Sequence, residues 1–180
     1  PRPTPASPFI PSPEHHQLAR FLAMAFSKPL ALLLLAAAAM CAAGQQDCSG
    51  HKVTVQNLCG HDLNLGIAPV ADSKLLFSNG MLLPHGNHQS FGVCAWTGSV
   101  SAQGAPVAKF HLGHDGGAYY EVSTDQASAA VRVSVTPHGN PLLGHCPTAG
   151  CNEDKCFEHS VAGGNCHGVT EMKIVYYRKH

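Results

Sequence analysis

Charge is scarce in this sequence: Asp, Glu, Lys and Arg make up 12% of its 180 residues, and 11 cations balance 11 anions. With 44% hydrophobic residues, so little charge excludes a chain kept disordered by self-repulsion. The absence of any cationic excess speaks against nucleic acid as a partner, because holding a phosphate backbone takes clustered Lys and Arg. No Asn-x-Ser/Thr sequon occurs, so N-glycosylation is not expected. Internal repeats, a Gly-rich phosphate loop and a zinc ribbon are missing, and no helical period is sustained over ten residues.

A single long apolar run is present, Pro29 to Cys41. It follows the short basic start Met24 to Lys28 and precedes the small residues Ala42-Ala43-Gly44, the three-part pattern of a secretory signal peptide. The run is shorter than the ~20 apolar residues that span a bilayer, so no membrane association is expected after cleavage. The sequence therefore divides into an upstream, Pro-rich non-domain segment at 1–23, a signal peptide at 24–44 and one domain at 45–180. Secretion agrees with composition, since eight Cys, 18 Gly and 13 Pro suit a loop-rich fold stapled by disulfides.

Cys41 leaves with the signal peptide, and Cys48, Cys59, Cys94, Cys146, Cys151, Cys156 and Cys166 remain. An odd set leaves one thiol over, which implies either a monomer with a free Cys or a dimer linked through it.

Alternation with a period of two marks short strands at 51–57, 62–67, 74–77, 89–95, 107–112, 119–123, 130–136 and 172–177. In the clearest, Val131, Val133 and Val135 fall on one side and Arg132 and Ser134 on the other. Gly-Asn, His-Gly, Asp-Gly-Gly and Pro clusters separate the strands and supply turns. The expectation is a mainly β sandwich or barrel, with the Gly- and Cys-dense stretch 137–169 as a disulfide-held loop region near the C-terminus.

These segments, in this order, resemble the thaumatin-like proteins, a secreted, pathogenesis-related family. The resemblance runs from Val53-Thr54-Val55-Gln56-Asn57-Leu58-Cys59 through Leu83-Pro84-His85-Gly86, Ser90-Phe91, Trp96-x-Gly98 and Val107 to Leu112. It continues through Tyr119 to Ser123, Val133 to Pro137 with Gly139, Cys146-x4-Cys151-x4-Cys156 and the closing Met172 to Tyr177. It implies a flattened thaumatin-like β-sandwich, a place in extracellular or cell-wall space, and plant-defence or antifungal action through binding of β-1,3-glucan. It also implies a Cys156–Cys166 bridge across Gly163-Gly164, and leaves the pairing of the other five cysteines open. Cys59 stands where the family pairs with a Cys of the closing strand, which this chain lacks.

The family's acidic cleft maps only in part. Lys109 stands at a Glu position, Glu121 keeps a carboxylate, Gln126 replaces an Asp with Asp125 beside it, and an Arg position falls near Ala102. Hydrolysis of a glycosidic bond needs two carboxylates in different roles. With one matched, the expectation is non-enzymatic binding, and the alternatives are a weak endo-β-1,3-glucanase or a protein-binding, inhibitory module without a sugar site. Glu121 also has an ordinary reading, as a surface strand residue paired with Lys109 or Arg132.

Candidate sugar contacts are the rings of Trp96, Tyr119 and Tyr120 with the acceptors Glu121 and Asp125. Alternation sends one ring of Tyr119-Tyr120 to each face of its strand, so one of the two belongs to the core. Thirteen histidines are present, and His85-x-x-His88 and His111-x-x-His114 have spacings that metal ligands use, but off a helix they need not converge. No metal and no cofactor are expected. Exposed histidines would instead make the protein more cationic as pH falls through ~6.5, favouring acidic wall polymers.

Overall fold

The computed structural model describes residues 50–70, 72–123 and 126–179, all strands, turns and irregular segments. The segments 1–23 and 24–44, together with Cys48 and Asp125, lie outside the described residues. The chain is mainly β and forms two sheets. Its strands are β1 (Lys52–Leu58), β2 (Leu63–Pro69), β3 (Met81–Leu83), β4 (His88–Gly92), β5 (Trp96–Ala102) and β6 (Ala108–Leu112). They continue with β7 (Ala118–Val122), β8 (Val131–His138), β9 (Leu143–Gly144), β10 (Ala149–Gly150), β11 (Ser160–His167) and β12 (Glu171–Arg178). One sheet has the order β10-β8-β12-β1-β4 and the other β3-β2-β5-β6-β7-β11-β9.

In the five-stranded sheet β1 and β12 are parallel neighbours, in register from Lys52 opposite Glu171 to Leu58 opposite Tyr177. β4 and β8 flank them in antiparallel fashion. Alternation decides which side chains face in. Val53 and Val55, Ile174 and Tyr176, Val133 and Val135 come from this sheet; Leu63, Leu65, Val100, Phe110, Leu112 and Tyr120 come from the other. All are buried in a common core.

The Trp96-x-Gly98 pair has a packing reason. Trp96 and Gly98 share the inner face of β5; the indole is fully buried, lies 4.7 Å from the Phe110 ring and donates its N–H to the Lys74 carbonyl at 2.9 Å. A Cβ on Gly98 would come within 2.7 Å of Trp96 Cη2 and 2.5 Å of the Ala68 carbonyl oxygen. Glycine makes room for the indole. Asn57, also fully buried, has every polar atom engaged: its amide donates to the His61 and Leu83 carbonyls and its oxygen accepts the Cys59 N–H. The Asn-x-Cys spacing thus pins the β1–β2 turn to β3.

Three expectations are corrected. Residues 74–77 do not form a strand: the segment is irregular, with Lys74 held by the Trp96 indole and Phe77 packed 5.1 Å from Phe91 over the core. Much of the supposed loop region is strand, because β11 pairs with β7 at Val161–Tyr120 and at Cys166–Ala118, with a bulge between them that contains Gly163-Gly164. That bulge places Cys166 opposite Gly144 of β9, so Cys166 bonds Cys146, with a Cα–Cα distance of 5.0 Å. Cys156 bonds Cys151 across a local antiparallel bridge, with a Cα–Cα distance of 4.0 Å. The Cys156–Cys166 pairing is therefore overturned. Cys94 is disulfide-bonded as well. Such bridges persist in oxidising, extracytosolic surroundings.

Cys59 is the free cysteine among the described residues and is fully buried, so its thiol is not presented to a second chain. Burial raises its pKa from 9.0 to about 11. Burial likewise pushes the phenols of Tyr120 and Tyr176 up, helped by the charges of Glu158 and Cys59 respectively. The folded state keeps these groups neutral, so their contribution to stability is complete below their unfolded pKa values and is lost as pH rises. Two outcomes are expected. The melting temperature should fall between pH 9 and pH 11, less steeply in Cys59→Ala, and equal slopes in wild type and variant would contradict this role for the thiol. Gly98→Ala should cost ~1–3 kcal/mol by overpacking against Trp96, measured by denaturant unfolding, and a neutral result would contradict the packing account.

Candidate functional site

The outer face of the seven-stranded sheet carries the polar half of its alternating strands. Register sets two rows across it. In one, Ala68, Ser99, Lys109, Glu121 and Ser160 are successive cross-strand neighbours; in the other, Thr97, His111 and Tyr119 are. Strands ~4.8 Å apart bring such side chains into contact.

Tyr119 projects from β7 and remains 44% exposed. One side of its ring stacks on His111, with centroids 4.9 Å apart and planes inclined by 11°. On the other side the neighbouring strand contributes Gly163, which places no side chain against the ring. His111 is itself fixed by a 2.6 Å hydrogen bond between Nδ1 and the Thr97 hydroxyl. The result is a preorganised aromatic surface beside a shallow hollow of about 320 Å³ lined by Ala68, Val70, Thr97, Ser99 and Lys109.

Glu121 belongs to the neighbouring row. Its carboxylate accepts a hydrogen bond from Lys109 Nζ at 3.3 Å, with both side chains more than half exposed. The ordinary reading of Glu121 is the observed one, with Lys109 as partner. Arg132 is elsewhere, buried, donating to the carbonyls of Ala127, Asn152 and Glu153 and so clamping two loops. A second hollow, about 380 Å³, lies across the Lys109–Glu121 pair and is lined by Val107, Ser123 and His159.

The other expected contacts separate from this surface. Trp96 is fully buried and Tyr120 is 1% exposed, its hydroxyl donating to the Pro147 carbonyl at 2.5 Å, so neither ring is available to a sugar. Of the two tyrosines, alternation assigns Tyr119 to the surface and Tyr120 to the core. Gln126, at a family acidic position, is also core: its Oε1 accepts the Val133 N–H at 2.8 Å. Ala102 is buried on the inner face of β5. Among the described residues the acidic cleft set is thus not assembled.

His111 and Thr97 are the site members that sequence reasoning overlooked in this role. Their signal was cross-strand register, His111 opposite both Thr97 and Tyr119, which requires knowing which strands pair. At the β6–β7 turn, Asp115 accepts the Gly117 N–H. That bond, its own backbone N–H and the charges of His167 and His111 hold its carboxyl below the usual range. His85 accepts the Gly60 N–H at Nδ1, a turn contact. Among the described residues no three His, Cys, Asp or Glu side chains converge as a metal site.

No family model and no curated protein matches the chain. Among solved structures, the protein elicitor MoHrip2 from Magnaporthe oryzae is similar at 14% identity and a TM-score of 0.42, the match covering 72% of this chain and 99% of that one.

Proposed function

We propose that this chain is a small thaumatin-like protein, secreted into cell-wall or extracellular space, that binds β-1,3-glucan without hydrolysing it as part of an antifungal, plant-defence role. The observation that carries the reading is Tyr119, exposed, braced on His111 and bordered by the Lys109–Glu121 pair. A sugar ring offers an apolar face to an aromatic ring and hydroxyls to the groups around it. Glu121 on the ring's own strand, Lys109 on the next and Thr97 and Ser99 on the one beyond supply donors and acceptors around the ring and its hollow. Disulfides and the order of the family-like segments support the secreted, thaumatin-like assignment.

Binding is favoured over hydrolysis by the state of Glu121. A glycosidase acid is held protonated by an apolar enclosure and works with a second carboxylate. Glu121 is 55% exposed in its side chain and bonded to a lysine.

The test is retention of the disulfide-intact protein on insoluble β-1,3-glucan, beside cellulose and chitin, with released reducing sugar measured in the same tubes. Selective retention without release is expected, and Tyr119→Ala should weaken it roughly three- to tenfold at unchanged melting temperature. Sugar release that disappears in Glu121→Gln would replace this reading with a glucanase. Absence of retention on every polymer would overturn it in favour of a protein-binding module.

A further inference from the structure

The opposite surface of the molecule has a different character. On the outer face of the five-stranded sheet, β1 presents Lys52, Thr54 and Gln56, and β4 presents Ser90 and His88 opposite Thr54 and Gln56. β12 presents Glu171 and Lys173 opposite Lys52 and Thr54, and β8 presents His138 and Thr136 opposite Glu171 and Lys173. Together Lys52, Thr54, Gln56, His88, Ser90, His138, Glu171 and Lys173 line a shallow depression of about 390 Å³. β10, the remaining strand, contributes only Ala149 and Gly150.

Charge on this face is one-sided. Lys52 and Lys173 are cations, His88 and His138 stand beside them, and Glu171 is the sole carboxylate lining the depression. Glu171 is engaged by Lys52 at 3.3 Å, with its side chain 18% exposed against 49% for the lysine. Partial burial pushes its carboxyl up, but hydrogen bonds from Thr54 and Lys52 and the charges of Lys52 and His138 outweigh that and hold it below the usual range. Glu171 is therefore already neutralised by its neighbours. Lys173 and the imidazoles are left to face solvent, with uncharged hydrogen-bonding groups set between them: Ser90, whose hydroxyl is held at 2.8 Å by that of the buried Thr54, and Gln56. A purely electrostatic patch needs only the cations. Cations interleaved with hydroxyls and an amide at strand spacing match a ligand that alternates carboxylates with hydroxyls.

We propose that this face of the five-stranded sheet is a second carbohydrate site, distinct from the Tyr119 surface, that binds acidic polysaccharide of the polyuronate class. Lys173, flanked by the Glu171-paired Lys52, contacts carboxylates, and Ser90 and Gln56 contact ring hydroxyls, while the buried Thr54 holds the Ser90 hydroxyl in place. Binding through these charges weakens with salt.

The probe is polygalacturonate, with its methyl ester as the neutral control of the same backbone and polyphosphate as the anion without hydroxyls. Affinities are measured at low salt and at about 0.5 M salt. Polygalacturonate should lose affinity in salt and should bind more tightly than the ester and, at matched charge, than polyphosphate. The double variant Lys52→Gln, Lys173→Gln should bind roughly three- to tenfold more weakly. Glu171→Gln should bind more tightly, a gain that a folding defect cannot mimic. Tyr119→Ala should leave polygalacturonate affinity unchanged, so failure of the glucan reading and failure of this one are told apart. Affinity unchanged by salt, no effect of the lysine changes, or polyphosphate binding as well as polygalacturonate would overturn the proposal.

Discussion

The parallel pairing of β1 with β12 is the constraint on which the rest of the structure depends. These are the first and last strands of the described fold, and they lie side by side inside the five-stranded sheet rather than at its edges. Each carries inward residues, Val53 and Val55 on one and Met172, Ile174 and Tyr176 on the other, that are 0% exposed. Neither strand buries those residues until the other is in place. Folding this sheet therefore requires closure of nearly the whole described chain, an entropic cost that long-range burial and hydrogen bonding must offset. The outer-face polar rows on both sides of that seam, including Lys52 beside Glu171, exist only as a product of this register.

The second sheet shows how core geometry becomes surface chemistry. Period-two alternation couples the two faces: the same strands that turn Trp96, Phe110 and Tyr120 inward turn Thr97, His111 and Tyr119 outward. Room for the indole at Gly98 keeps β5 close to β2, and the Lys74 carbonyl satisfies the only polar atom of that ring. A rigid inner face thereby holds an outer array within two strand spacings of the Tyr119 ring, without help from a loop. Sites on regular elements are the more precisely held kind.

What sequence could and could not reveal follows from this coupling. Alternation located seven of the strands to within a few residues and assigned Val131, Val133 and Val135 to one side, because burial of a single face writes itself directly into residue order. It failed at 74–77, where the backbone is committed to an indole from a distant strand. It failed again at β11, whose glycine bulge breaks the period while the ladder continues. The disulfide partner of Cys166 was lost with that strand, since the pairing depends on β11–β9 register and not on spacing along the chain. For the site, Tyr119 and Glu121 were legible as residues, and the Lys109 partnership of Glu121 was anticipated. Trp96 was visible as an aromatic but its burial was not, because alternation marks no strand between 95 and 107, where β5 lies. His111 required cross-strand pairing to be seen at all.

The claim that sugar meets this protein at the Tyr119 face is tested most directly by residue-resolved NMR during titration with a β-1,3-gluco-oligosaccharide. The account predicts saturable shifts confined to Thr97, Ser99, Lys109, His111, Tyr119 and Glu121, with the Lys52–Lys173 face silent. Shifts centred on the five-stranded sheet, or none at saturating sugar, would contradict it.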